Sequence, residues 1–299
     1  MKKAFYFAAA CLMAIACGNK NNADVPEPPY AEAAGEIKLE DDVLPPIPLD
    51  DEEEFYLKEV YFFANNSYLG KGNVPLKNPQ VNAMTKGSLM VERNVYGHYS
   101  MKDKVYTFKD GDIKNFKLEI KDNKNFIVTE GNSTPIEVKG TFTPTTPPST
   151  PDEKAICAKW KISEIVAKIP SKSIDVNFTD KQGINPNDVE AIANYINGKA
   201  PQTIDMKKVE GYYISEISLS QTKVAVEFTT KKAIGGDWKP NLSTRTFSYT
   251  LDTTLDGKLF QGSATGSFDF KDGGNTLVIT INAKAGSDSA NIVITAKRV

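Results

Sequence analysis

Short runs of alternating apolar and polar residues recur through the second half of the chain and constrain its fold more than any other feature. In one run Val224, Val226 and Phe228 share a face, and the same alternation surrounds Tyr249 and Ile294. A period of two residues is that of a β-strand with one buried face. The sequence therefore predicts an antiparallel meander of eight strands, at residues 160–169, 210–219, 223–230, 244–251, 258–261, 264–270, 276–283 and 291–298.

One helix is predicted among these strands, from Pro186 to about residue 197. Asn185 is a suitable N-cap, Pro186 suits the first turn, and Gly198 follows the last turn. The helix should pack on the sheet through an apolar stripe that consists of Val189, Ile192, Ala193 and Ile196.

A second set of strand patterns precedes this half and is separated from it by a proline-rich break. Four prolines stand between Thr143 and Asp152, where a regular strand ladder cannot form. Residues 144–152 are therefore predicted to be a stiff linker. The fold class that follows is all-β with one short helix, in two antiparallel β-meander domains at 54–143 and 153–299. The strands predicted in the first domain are 55–63, 88–94, 105–108, 115–121, 125–130 and 135–142.

The residues before the first domain are strongly acidic and rich in proline. From Asp24 to Glu54 there are twelve acidic residues and one basic residue, Lys38, a net charge of −11 (1 − 12). Like charges repel and prolines favour extended backbone. Residues 17–53 are thus predicted to be a disordered tether that could hold the domains up to roughly 100 Å from an attachment point at its start.

Cys17 provides that attachment point. The leader at 1–16 begins with Met1-Lys-Lys, continues through a short apolar run and ends in Ala14-Ile15-Ala16 immediately before Cys17. This pattern resembles a bacterial lipoprotein signal, which implies that the leader is removed and that Cys17 carries lipid. An ordinary secretory signal has the same layout apart from the cysteine. No aspartate follows Cys17, so the resemblance implies anchoring to the outer membrane, with either its periplasmic or its outer face as the site.

The second domain resembles the lipocalin or calycin barrel. Trp160 on its first strand and Arg298 on its last match, in type and order, the family's tryptophan and arginine that pack together to close the barrel. The resemblance covers residues 155–299 and implies an eight-stranded lipocalin-like barrel. The chain departs from the family at Ala158, where glycine is expected, and in placing its helix between the first two strands. In layout it is also similar to lipocalin-like lipoproteins of Gram-negative gut bacteria, whose function is usually unknown.

Catalytic and cofactor-binding patterns are absent from the sequence. His98 is the one histidine, so a multi-histidine metal site is excluded. Cys157 is the one cysteine left after the leader and Cys17, and a lone cysteine is usually a small buried side chain. The chain contains three arginines. These are too few for the bidentate arginine hydrogen bonds to phosphates and bases that are typical of nucleic-acid recognition. We expect no enzyme, no cofactor, no metal and no nucleic-acid partner.

The predicted function is therefore binding. The barrel-like body of a membrane-anchored lipoprotein would take a small apolar or amphipathic ligand, or a glycan, without catalysis. Aromatic residues that could line the site are Tyr212, Tyr213, Trp238, Tyr249 and Phe260. The alternative is a structural or adhesive cell-surface protein, whose strand edges or faces engage another protein.

Overall fold

The fold is a pair of closed β-barrels in a computed structural model that describes most of the chain. The described residues are 25–40, 44–49, 53–75, 90–113, 115–179, 181, 183–199, 207, 209–230, 232–255, 258–285 and 288–299. Strand is the dominant element, and two α-helices accompany it. Among the described residues, no helix has the length and apolar character needed to cross a membrane.

The first barrel is built from an N-terminal strand and a consecutive meander. β1 pairs on one side with β9 and on the other with β3, and this double pairing closes a barrel of eight strands. The short strand β2 pairs with the N-terminal end of β3. The strands are β1 Gly35–Leu39, β2 Ile47–Pro48, β3 Glu54–Phe62, β4 Ser67–Pro75, β5 Met90–Lys102, β6 Val105–Phe108, β7 Phe116–Ile120, β8 Asn125–Glu130 and β9 Ile136–Pro144.

The second barrel closes in the same way. β10 pairs with both β12 and β18, so eight strands form a ring, and β11 extends one edge of β10. The elements are α1 Pro151–Ile156, β10 Lys159–Ile169, β11 Ile174–Phe178, α2 Val189–Lys199, β12 Ile214–Leu219, β13 Lys223–Phe228, β14 Ala233–Asn241, β15 Thr246–Leu255, β16 Lys258–Lys271, β17 Thr276–Ala285 and β18 Asp288–Arg298. The predicted all-β class with two antiparallel domains is confirmed.

The inward faces of both barrels are packed with large side chains. Because every strand alternates, one set of residues points into each barrel and forms its own core cluster. In the first barrel the Phe62 ring packs against Tyr106, with centroids 4.0 Å apart, and meets Phe108 edge to face. Trp238 lies near Phe247 and Phe268 in the second. Small barrels filled in this way have a solid core and not a channel.

The N-terminal segment corrects the predicted disordered tether at 17–53. β1 lies inside that range, with Ile37 fully buried between the two strands that it joins. Leu44, Ile47 and Leu49 are buried in the same core. Two of the segment's described acidic side chains are paired with cations of the body, Glu36 with Lys223 and Glu53 with Arg93. Opposite charges thus hold this part of the segment against the body. The leader at 1–16 and Cys17 lie outside the described residues.

The linker and the helix also differ from the sequence prediction. Part of the predicted linker is helix α1, which Thr150 and Glu153 begin with a reciprocal capping box. Helix α2 begins at Val189 and not at Pro186, because the Asp188 carboxylate accepts the hydrogen bond of the Ala191 N–H and so caps the helix. The four residues of the predicted apolar stripe are all buried.

A glycine pair tests the packing of the first barrel. Gly111 has φ +93°, and a Cβ there would lie 2.1 Å from the Tyr96 carbonyl oxygen on β5. Gly131 has φ +53° with open space around it. We expect Gly131→Ala to cost about 1 kcal/mol of unfolding free energy from backbone strain alone, and Gly111→Ala to cost about 3 kcal/mol or more because the loop must leave β5. Urea unfolding of both variants measures this; equal losses would show that the loop does not pack against β5.

Candidate functional site

The two barrels pack against each other through their outer faces. Strands β3 to β5 of the first barrel contact β12 to β15 of the second, and a small apolar cluster lies at the joint. Leu69 fills the gap left by a glycine: a Cβ on Gly235 would lie 2.2 Å from the Leu69 Cδ2 atom. The cluster consists of Tyr61, Phe63, Tyr96, Ala225 and Ala233, with Leu69 packed against it.

A buried chain of hydrogen bonds crosses this joint beside the apolar cluster. The Ser67 hydroxyl lies 2.6 Å from the Ser218 hydroxyl, and the Asn65 side-chain amide donates to the Ala158 carbonyl at 2.9 Å. The Tyr96 hydroxyl donates to the Glu216 carboxylate at 2.5 Å and lies 2.7 Å from the Ser218 hydroxyl. Because buried polar groups are costly when unpaired, these bonds specify one relative placement of the barrels.

His98 lies at the solvent edge of this network between two carboxylates. Its Nδ1 atom is 2.8 Å from Asp110 Oδ1, and its Nε2 atom is 3.0 Å from Glu216 Oε1 on the other barrel. Lys159 Nζ lies 3.5 Å from the same Glu216 oxygen. Burial lowers the pKa of His98, but the hydrogen bond to Glu216 and the charges of Glu216 and Asp110 outweigh burial and the opposing charge of Lys159, so the pKa is raised. Glu216, itself half-buried, has a lowered pKa because His98, Tyr96 and Lys159 together outweigh its desolvation.

The hydroxyl groups of this arrangement are buried inside the joint between the barrels. A histidine between carboxylates and near hydroxyls has the components of acid–base chemistry. However, Ser67, Tyr96 and Ser218 have no exposed surface that a substrate could reach. Burial raises the pKa of Tyr96 far above that of a free tyrosine, and its nearness to Glu216 raises it further. Cys157 is also buried, and desolvation raises the pKa of its thiol to about 12. Within the described ranges, no group of three or more possible metal ligands occurs.

The aromatic residues predicted to line a ligand site belong mainly to the core. Tyr212, Trp238 and Tyr249 are buried members of the second core cluster. The Trp238 indole donates to the Ser220 carbonyl at 2.5 Å, and the Tyr212 ring lies 5.0 Å from that of Phe228. Tyr213 is half-buried and accepts a hydrogen bond from Asn185. Phe260 lies in β16, and its side chain falls outside the described part. These residues are therefore not gathered around one described cavity.

Trp160 and Arg298 lie opposite each other where the second barrel closes. They are direct cross-strand partners of β10 and β18. Trp160 is fully buried and its ring stacks on Phe270 with centroids 6.2 Å apart. Cross-strand partners share one face of a sheet, so both side chains project to the same side of it. The role of this pair in barrel closure stays a prediction.

A concave feature lies on the outer face of the second barrel. It is a shallow depression of about 540 Å³, and its lining includes Gly266 and Phe247, whose side chain is buried in the barrel core. Its rim carries hydroxyl, amide and ammonium groups from four neighbouring strands. The polar rim residues are Lys239, Thr246, Ser248, Thr265, Ser267 and Asn282.

The sequence contains a signal for this depression that the aromatic prediction passed over. Thr246-Phe-Ser248 and Thr265-Gly-Ser267 are two Thr-x-Ser patterns on neighbouring strands. The register pairs Thr246 with Ser267 and Ser248 with Thr265, so four hydroxyls share one outward face. The sequence does not show which strands are neighbours. Only the strand order of the closed barrel shows that these hydroxyls lie close together.

Comparison with known proteins gives no family assignment. No family model matches the chain, and no curated protein matches it. Among solved structures, a transferrin binding protein B from Haemophilus parasuis is similar at 10% identity and a TM-score of 0.25, over 81% of this chain and 53% of that one. A transferrin binding protein B from Neisseria meningitidis is similar at 9% identity and a TM-score of 0.17, over 82% of this chain and 66% of that one. A porin-like protein from Bacteroides uniformis is similar at 7% identity and a TM-score of 0.20, over 92% of this chain and 98% of that one.

The chain thus spans between about half and two thirds of the two transferrin binding proteins that it matches. TM-scores below 0.5 do not establish a shared fold. The architecture of this chain is defined by its own strand pairing, which closes two antiparallel barrels of eight strands. Such up-and-down barrels include the lipocalins. The positions of Trp160 and Arg298 resemble those of the tryptophan and arginine of that family.

The single histidine allows a direct test of the joint. With no other histidine present, the His98 ring protons can be followed by NMR without ambiguity in protein purified without a histidine tag. We expect the His98 pKa to lie above 6.5 in the native chain and to fall below its native value in Glu216→Gln, which keeps a hydrogen-bonding side chain but removes the charge. A pKa at or below 6.5 in the native chain would contradict the pairing with Glu216.

The same histidine makes the stability of the joint depend on pH. Because the folded pKa is raised, protonated His98 stabilises the fold fully below its unfolded pKa, and this contribution is lost as pH rises through the folded pKa. We expect His98→Gln to cost about 1 kcal/mol at low pH, a small value because the ring is partly exposed, and almost nothing at high pH. Urea unfolding of both proteins at several pH values measures the difference, and a difference that grows with pH would contradict it.

Proposed function

We propose that this chain is a lipid-anchored, non-catalytic binding protein of the bacterial outer membrane that binds a glycan in the depression on its second barrel. The proposal depends on the position of the solvent-accessible depression relative to the barrel interiors. The inward faces of the described strands are occupied by the chain's own aromatic and aliphatic side chains. The depression lies instead on the outer face and is open to solvent.

The rim of the depression suits a polyhydroxylated ligand. Ser and Thr hydroxyls can donate and accept, Asn282 can do both through its amide, and Lys239 donates. A sugar offers many hydroxyls at close spacing, and each can exchange hydrogen bonds with such a rim. An apolar ligand would leave the rim groups without partners and would cover little apolar surface.

Anchoring rests on the sequence around Cys17. The leader, the small residues before the cysteine and the absence of a following aspartate support lipid attachment and the outer membrane. We expect Cys17→Ser to abolish incorporation of radioactive palmitate and to release the protein from the membrane fraction, because the diacylated thiol is the attachment point. Continued labelling of this variant would contradict the anchor.

Binding is tested by a glycan array with the purified protein and two matched variants. Ser267→Tyr places a ring in the depression, whereas Thr230→Tyr adds the same ring to an exposed hairpin turn elsewhere on the barrel. We expect at least about a tenfold weaker affinity for the bound glycan with Ser267→Tyr, equivalent to a loss of about 1.4 kcal/mol, and no change with Thr230→Tyr.

Other outcomes separate the remaining alternatives. Glycan binding that survives Ser267→Tyr would place the site outside the depression. A negative array together with concentration-dependent assembly, or with a bound cell-surface protein, would favour the structural or adhesive alternative. An apolar ligand retained in native mass spectrometry would favour binding within a barrel.

A further inference from the structure

The chain between Cys17 and the first barrel is held against both barrels, which limits how far the body can stand from a membrane. We call residues 25–39 the docked segment. At its start Val25 packs against the second core cluster, beside Gly274 and Ala155: a Cβ on Gly274 would lie 3.1 Å from the Val25 Cγ2 atom and 3.4 Å from the Ala155 Cβ atom. Glu27 forms an ion pair with Lys154 of α1.

The rest of the docked segment is fixed by backbone hydrogen bonds. The Tyr30 N–H donates to the Ala64 carbonyl at 3.0 Å, and the Thr145 N–H donates to the Ala34 carbonyl at 2.9 Å. The Tyr106 hydroxyl donates to the Ala33 carbonyl at 2.7 Å. β1 then follows as a central strand of the first barrel. Releasing β1 would open the barrel, and releasing residues 25–34 would break these hydrogen bonds and the Val25 packing contact, so the docked segment is held against the body and does not act as a spacer.

What remains between the lipid and the body is short. Eight Cα-to-Cα steps separate Cys17 from Val25 (25 − 17). Fully extended they reach about 26–29 Å, and a flexible chain of that length has a mean end-to-end distance of about 15 Å. The upper limit is less than a third of the 100 Å that the disordered tether would allow.

The place where Val25 docks identifies the end of the second barrel nearest the anchor. We call it the α1 end: it holds helix α1, the turn at 272–275, the turn at 242–245 and the exposed side chain of Val299. Charges at this end are paired with each other, Arg245 with Asp152 and Lys297 with Asp272. The short connection, and not a basic patch, would hold this end near the lipid.

We propose that the α1 end of the second barrel faces the bilayer surface at a separation of no more than about 30 Å, while the hairpin turn at 229–230 points away. This inference rests on the lipid at Cys17 in the proposed function. It adds an orientation: one defined end of the body is shielded by the membrane, and partners from solution must approach from the sides or from the far end.

The test supplies the lipid chemically, so that it does not depend on processing in cells. A chain beginning at Cys17 is coupled through that thiol to a maleimide phospholipid in phosphatidylcholine vesicles. Cys157 does not compete, because its thiol is buried and its pKa is raised to about 12. A short peptide epitope is inserted after Ser243, at the α1 end, or after Thr229, at the far end, and binding of a Fab fragment is measured.

We expect the anchored protein to bind the Fab at the far-end epitope as tightly as the uncoupled protein does, and at least about tenfold more weakly at the α1-end epitope. A flexible Gly/Ser spacer of about 30 residues, inserted after Cys17, should restore binding because it lengthens the connection several-fold. Equal Fab binding at both epitopes on the anchored protein, or a loss that the spacer does not relieve, would overturn the proposal.

Neutron reflectometry on the coupled protein without epitopes provides a second measurement. A water gap no wider than about 30 Å between headgroups and protein supports the proposal, and a gap near 100 Å overturns it. A failure here leaves palmitate labelling of Cys17 and glycan binding unaffected. Conversely, absence of palmitate in cells would remove the anchor of the proposed function but would not alter the geometry measured on vesicles.

Discussion

The insertion of β1 between β3 and β9 is the interaction on which the rest of the structure depends. Five residues, Gly35–Leu39, complete two hydrogen-bonded ladders at once and close the first barrel. Without them the barrel would have two open strand edges, which proteins normally protect because they invite aggregation. The same strand brings Glu36 to Lys223 of the second barrel and holds the docked segment against the body. Barrel closure and the Glu36–Lys223 ion pair are thus consequences of one strand.

The joint between the barrels depends in turn on how their outer faces match. Leu69 fits beside Gly235, and the Ser67, Tyr96, Glu216 and Ser218 side chains satisfy one another in a buried network. A network of this kind is stabilising only when every member is paired, so it favours a single arrangement over sliding or hinge motion. The joint thus fixes one relative placement of the barrels, which is why the position of the docked segment can orient the whole body.

Sequence reasoning succeeded where local patterns decide structure. The alternating runs of β13, β15 and β18 and the apolar stripe of α2 were readable because burial of one face imposes its period on the residues. It failed at β4 and β14, two strands that each contain two glycines. Those glycines look like strand breakers, but Gly72 lies against the Phe55 ring and Gly235 against Leu69. The residues that justify them are remote in sequence.

By itself, the sequence determined that the chain is all-β with two antiparallel domains, that its helix packs through one face, and that catalytic and metal-binding motifs are missing. Only the tertiary structure decided that an acidic, proline-rich segment contains a barrel strand, because its few apolar residues are sufficient once two neighbouring strands and the cations of the body surround them. The tertiary structure also shows that three aromatic residues predicted to bind ligand lie in the core, and that four Ser and Thr hydroxyls lie together on an outer face. Local periodicity specifies which face of a strand is buried, whereas strand order and closure specify what that face meets.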